Sequence, residues 1–413
     1  MTDSRTIPST ITGSPITGLP ASGSVHDERE IQAVLEVMRT TNLSIGANVA
    51  EFEQRVAGLL AKVHGVMVNS GSSALRLAID LLDCQPGDEI ITSPLTFSTD
   101  IAPMVQSGII PSFVDVEPGT FQIDPARIAE MVGPRTKAIL APNLVGNCPD
   151  WDAIRAIADE HGLLVIEDSC DVLDSWLRGT RTGARADITV TSFALSHAMT
   201  CGGNGGMVGV DDPDLRDRCL SLRRWGRRSE SYLFGSNRGS EDRFGPLADG
   251  TPYDLVFVFD DVGYNFEPTE WSAAFGLVQL DKLDDFNARR RHNWAMLDGF
   301  FAAHEDRIVR PRTTPDCDTT WMRYCFELRP DSGLDRTAVQ EFLEARNVAT
   351  RMIWTGNILR QPGFARIQHR LPDDGLPNAD RAMDTGLTLP IHHGLTSDHV
   401  GFMLDQLTAL LVG

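Results

Sequence analysis

Between Val66 and Asp168 short apolar runs alternate with stretches of helical spacing: VMV before ALRLAIDLL, DEIITSP before Thr99–Gln106, IIPSFVDV before a helix around Ile128, AILAPNL before Trp151–His161, then LLVIED. This rhythm leaves few folds open. Runs rich in β-branched residues, each followed by a crossover helix, predict an α/β architecture: a large, mostly parallel sheet covered on both faces. In open sheets of this kind ligands bind beyond the carboxyl ends of the strands. The residues to weigh are therefore those that follow each apolar run.

The densest such chemistry lies in ITVTSFALSHAMTCGGNGGM, Ile188 to Met207. It reads as a buried strand ending at Ser192, a turn carrying His197, and a flexible loop of Gly202, Gly203, Gly205 and Gly206. A histidine alone is more often a hydrogen-bonded loop residue than a catalytic one, so its company decides. After VMV, Asn69 and Ser70 lead into Gly71, Ser72 and Ser73 at the start of a helix. Exposed backbone N–H groups and hydroxyls there suit a phosphate, although capped helices are common. Phe97 follows another strand and can serve as core or as a stacking ring. Asp168 ends LLVIED, where a carboxylate either caps the next helix or serves a ligand.

Taken in order, Asn69–Leu75, Thr96-Phe97, Glu167-Asp168 and Gly263–Phe266 resemble the DegT/DnrJ/EryC1/StrS family, from about Val25 to the C-terminus. The resemblance implies the fold type I (aspartate aminotransferase) architecture of pyridoxal-phosphate enzymes acting on keto-sugars. It implies a cofactor held by Gly71, Ser72, Ser73 and Ser192, stacked on Phe97, paired through its ring nitrogen with Asp168, and reached by Asn265 of a second subunit. In most members position 197 is a lysine that forms the internal Schiff base. Histidine there is similar to the 3-dehydratases of nucleotide-linked 4-keto-6-deoxy sugars, which use pyridoxamine phosphate. Gly146-Asn147, Ser169–Asp171 and Thr355–Pro362 point the same way, with Asn147 and Arg360 as substrate-binding residues.

The activity so implied is removal of the C3 hydroxyl of a 4-keto sugar. His197 moves the proton, Asp168 keeps the ring nitrogen protonated, and an amino donor such as glutamate regenerates pyridoxamine phosphate. The segment Ser229–Asp261 lacks cysteine, so the iron–sulfur cluster of some sugar dehydratases is not expected, nor is any metal. The chain departs from the dehydratase pattern at Leu75, Ala194-Leu195 and Ala198, and its glycine turn is one residue longer. Two alternatives stay open: a keto-sugar aminotransferase using Lys62, Lys137 or Lys282, and a catalytically silent partner of a second enzyme.

Three units are expected: an unstructured arm at 1–24, rich in Ser, Thr, Pro and Gly; a cofactor-binding domain at 25–270; and an interdomain helix with a small α/β domain at 271–413. Ile31, Val34, Leu35 and Met38 form one apolar helical stripe, and Phe52, Val56, Leu59 and Leu60 a second. Pro268–Leu297 reads as one long helix, and RYCFELRP and VATRMIW flank a helix at Thr337–Arg346. A net charge of −20 argues against nucleic-acid binding, so arginines must gather locally for an anionic substrate. Seven scattered cysteines without a CxxC pair read as reduced thiols in a cytoplasmic protein. No apolar run is long enough to span a membrane. A homodimer with shared active sites completes the expectation.

Overall fold

The computed structural model describes residues 18–239 and 243–411. Its centre is a seven-stranded sheet in the order His64–Val68, Gly206–Val210, Ile188–Ser192, Leu164–Asp168, Thr136–Pro142, Glu89–Thr92, Ile110–Phe113. Only Gly206–Val210 runs antiparallel to its neighbours. The others end on one edge. These strands are apolar throughout because helices bury both faces: Val66, Ile90, Leu140 and Val190 pack on one side, Ile91, Ile139 and Val165 on the other.

The expected long helix is two, Glu270–Asp281 and Leu283–Phe301. They meet at Lys282, whose ammonium is held by Glu30 at 2.6 and 2.7 Å and by Asp27 at 3.0 Å. The first packs with Ala47–Leu59 through Phe52, Ala273 and Leu280; the end of the second, Leu297 and Phe301, joins the core of the C-terminal unit. Packing thus changes partner between Leu283 and Leu297, within the stretch expected as the interdomain helix. The C-terminal sheet holds Ile308–Val309, Arg323–Leu328 and Gly386–Pro390. Gly386–Pro390 had no counterpart in the sequence reading, whereas Val348–Trp354 contributes only isolated bridges at Val348 and Arg351.

Two further expectations need correction. Residues 1–17 lie outside the described residues, but the rest of the expected arm is fastened. Leu19 is 2% exposed and its N–H reaches the Asn347 carbonyl at 2.7 Å, so backbone pairing overrides the composition. The stripe on Glu28–Met38 does not face the core: Ile31, Leu35 and Met38 are exposed, while Glu30 and Val37 are buried. Among the described residues no helix is long and apolar enough to cross a membrane.

Candidate active site

Strand register alone gathers most of the site. Gly206 pairs with both Val68 and Ser192, placing the turn at Asn69–Ser73 beside the residues that follow Ser192. Ser70 caps the helix Gly71–Asp80, its Oγ accepting from the Ser73 N–H at 3.1 Å, and Ser73 Oγ bonds Asn69 at 2.7 Å. Ser72 stays exposed at the first turn. A Cβ on Gly71 would lie 2.6 Å from Ser192 Cβ, and one on Gly206 would lie 2.3 Å from the Ser70 carbonyl. Only glycine lets these backbones approach so closely, which brings the N-terminus of the helix Gly71–Asp80 against the end of Ile188–Ser192. The glycine loop, expected to be flexible, is pinned instead. Phe193 N–H donates to Gly205 at 2.9 Å, and Thr200 links Phe193 to Gly203.

Asp168 lies buried at the next strand end, with one oxygen accepting the Cys170 N–H at 2.9 Å. Burial raises its pKa, countered by the Cys170 thiol, then the Cys170 N–H, then Asp100. Asp100, fully buried on the helix Ser98–Gln106, is raised much further by burial and by the Asp168 charge. Of the two, Asp100 is pushed further toward its protonated form.

His197 sits in a turn whose peptide is held by Arg290, Nη2 donating to the His197 carbonyl at 2.8 Å. Burial, then the Arg290 charge, push its pKa down to about 4, so the ring is neutral near pH 7. Its Nδ1 is buried without a hydrogen-bond partner and faces Asp171 Oδ1 at 3.7 Å. The other oxygen of Asp171 accepts from the Val145 N–H and the Trp354 Nε1–H, each at 2.7 Å. Burial, then the Asp168 charge, raise the Asp171 carboxyl to about 7.

The remaining expected residues are treated unevenly. Phe97 is 45% exposed at the start of its helix, its ring 5.4 Å from that of Trp354. Asn265 is exposed on a loop whose Phe266 carbonyl accepts the Asn69 N–H at 3.0 Å. Asn147 is fully buried. Its amide bonds the carbonyls of Thr120 and Arg312 and the Thr314 N–H, all at 3.1 Å. Arg360 pairs with Asp384 at 2.9 Å and Asp380 at 3.5 Å. Asp100, Asp171, Arg290 and Trp354 had no assigned role in the sequence reading. A signal was there for Asp171 and Asp100 alone, as carboxylates just beyond strand ends.

A parallel sheet whose carboxyl edge joins a glycine-and-serine turn, a buried aspartate and a neutral histidine is the fold of the pyridoxal-phosphate-dependent sugar aminotransferases and dehydratases. Residues 24–408 match the DegT/DnrJ/EryC1/StrS aminotransferase family, and the chain belongs to it. A dTDP-4-dehydro-2,6-dideoxy-D-glucose 3-dehydratase of Saccharopolyspora spinosa is 36% identical over 411 residues, 97% of this chain and 87% of the relative. Escherichia coli GDP-4-keto-6-deoxy-D-mannose-3-dehydratase, solved with bound hydrated pyridoxal phosphate, superposes with a TM-score of 0.83 at 27% identity, covering 94% of this chain and 98% of the other. An aminotransferase of Psychrobacter cryohalolentis reaches 0.85 at 25% identity, covering 96% and 99%.

Proposed function

We propose that this protein is a pyridoxamine-phosphate-dependent 3-dehydratase of a nucleotide-linked 4-keto sugar, with His197 as the base. One observation carries the reading: a neutral, buried imidazole stands beside the Asp168 edge while all three lysines of the chain are engaged elsewhere. Lys62 is bound by Asp211 at 3.0 Å and by the Ala186 carbonyl, Lys282 by Glu30 and Asp27, and Lys137 is exposed near Asp88. The 3-dehydratases among the relatives support the same class.

The residues fit the cofactor. Gly71 and Gly206 leave no room for a Cβ beside Ser192 and Ser70, and the N–H groups and hydroxyls of Gly71, Ser72 and Ser73 at the helix N-terminus would hold a phosphate. Phe97 offers a ring face, and Asp168 at the strand end would keep a pyridine nitrogen protonated. When bound, the cofactor supplies the amine that meets the C4 ketone and the ring that stores electrons as the C3 hydroxyl leaves. His197 accepts and returns a proton from its neutral state, which an ammonium cannot do without first losing its own. Glutamate would restore the amine, and no iron–sulfur cluster enters the scheme. Exposed Ile31, Leu35 and Met38 are consistent with a second copy covering that stripe and bringing Asn265 to the neighbouring site.

The test is spectroscopic first. Purified protein with pyridoxal phosphate should show aldehyde absorbance that borohydride does not fix to the chain, and glutamate should convert it to the amine form. Covalent labelling at any lysine would restore the aminotransferase reading, and absence of binding the silent partner. Incubation with a nucleotide-linked 4-keto-6-deoxy sugar and glutamate should then give a 3-deoxy product. His197→Asn should bind cofactor yet lose roughly 10²–10⁴ in turnover.

A further inference from the structure

A base that works through one imidazole nitrogen needs its proton fixed on the other, and that choice belongs to whatever the other nitrogen faces. Here the Nδ1 of His197 is buried without a hydrogen-bond partner, and Asp171 Oδ1 stands 3.7 Å away. That is a few tenths of an ångström beyond a hydrogen bond. The opposite oxygen of Asp171 is committed to the Val145 N–H and the Trp354 Nε1–H, so Oδ1 is the Asp171 oxygen left for the ring, which also lies against the Cys170 backbone.

The manner of holding is informative. Val145 has φ 53° and Trp354 φ 47°, left-handed backbone that β-branched and bulky residues avoid. Two strained residues thus donate to one carboxylate oxygen. Val145 is itself clamped, its carbonyl accepting the Met322 N–H at 2.8 Å, and Trp354 reaches across from the C-terminal unit. Backbone strain of this kind persists where the surroundings over-determine it, and it collects at functional sites.

We infer that Asp171 is a positioning residue that holds His197 in the Nδ1–H tautomer and leaves Nε2 as the proton acceptor. The inference rests on the reading of His197 as base. It also makes the tautomer depend on both units of the fold, because Val145 and Trp354 aim the same carboxylate from either side.

The decisive variant is Asp171→Asn. The two donors that hold the Oδ2 position require the amide oxygen there, which turns the NH2 toward Nδ1 and drives the ring to its Nε2–H form. The experiment labels histidine with ¹⁵N in the full-length protein and reads the tautomer of the His197 ring from long-range ¹H–¹⁵N spectra, assigned by the signal missing in His197→Asn. Spectra are taken at about pH 8, where a carboxyl with a midpoint of about 7 is ionised. Wild type should show Nδ1–H and Asp171→Asn predominantly Nε2–H, with turnover down roughly a thousandfold or more and KM little changed. Asp171→Glu, which keeps a carboxylate, should return the ring toward Nδ1–H.

Wild type in the Nε2–H form, or an Asp171→Asn ring unchanged from wild type, would overturn the positioning role whatever the activity. The wild-type spectrum decides even if the variant does not fold. A tautomer that flips while turnover stays intact would leave the positioning role standing and remove His197 as the base, so the two readings fail separately.

Discussion

His393 shows how a single residue couples this protein to pH. Its ring stacks on Phe286 at 3.9 Å, is 3% exposed, and has a buried Nδ1 without a hydrogen-bond partner. Burial, then the Arg290, His392 and Arg289 charges, hold its pKa down to about 2. The unfolded chain takes up a proton below about 6.5 while the folded one does not, so this contribution is complete above that pH and is lost as pH falls. His393→Phe keeps the stacking ring and removes the titration. Between about pH 7 and pH 5, wild type should lose about 2 kcal/mol of stability relative to the variant, read from denaturant midpoints at each pH. Equal pH dependence in both proteins would contradict the assignment. At the same scale His197 and Asp168 stood out in sequence at or just beyond the ends of buried strands, but only the family resemblance gave them roles, since a lone histidine and a capping carboxylate have structural uses of their own. Asp171 was visible as a carboxylate, but its donor Trp354 lies 183 residues further on, and no local pattern joins them.

Elements were read well where burial alone writes the pattern. Trp151–His161 falls where helical spacing puts it, and the parallel strands stand out because both of their faces are apolar. Their ends are another matter. The helix Ala47–Leu59 starts at Gly46, which has no side chain to cap it. Glu270 does so from across the chain, taking the N–H of Gly46 at 2.9 Å, Asn48 at 2.7 Å and Val49 at 3.2 Å. A charged acceptor at a helix N-terminus satisfies orphan donors and meets the dipole with favourable sign. Glu270→Gln would turn an NH2 toward those donors, so it should cost about 2–3 kcal/mol in chemical denaturation, with the loss of protection in hydrogen exchange concentrated at residues 46–50. A cost near zero would mean that water replaces the carboxylate.

Over the whole molecule the same device ties the two units together. Asp115, fully buried in the large domain, accepts from the N–H groups of Asn378 at 2.8 Å and Ala379 at 3.0 Å, capping Pro377–Thr385, whose own N-cap Leu376 offers no acceptor. Nearby, Phe113 N–H donates to the Arg370 carbonyl and Arg370 N–H to the Pro111 carbonyl, both at 3.0 Å, so the C-terminal unit covers the edge strand of the large sheet. Asp115→Ala should lower stability by about 2–4 kcal/mol, and hydrogen exchange at residues 377–385 should speed up before that of the central sheet. Uniform acceleration would instead show that the two units open together.

The sequence by itself determined the sheet, most of its crossover helices, and the strand ends where Gly71, Asp168, Ser192 and His197 stand. These follow from local spacing and from the rule that a buried parallel strand is apolar along its length. Tertiary structure alone decided which of those ends share a cleft, that Asn147 is spent on backbone while Asp171 faces His197, and that Glu270 and Asp115 finish helices far from them in the chain. Hydrogen bonds to buried backbone groups are satisfied by whatever the fold brings near, and nearness in space leaves no periodic trace in a linear chain.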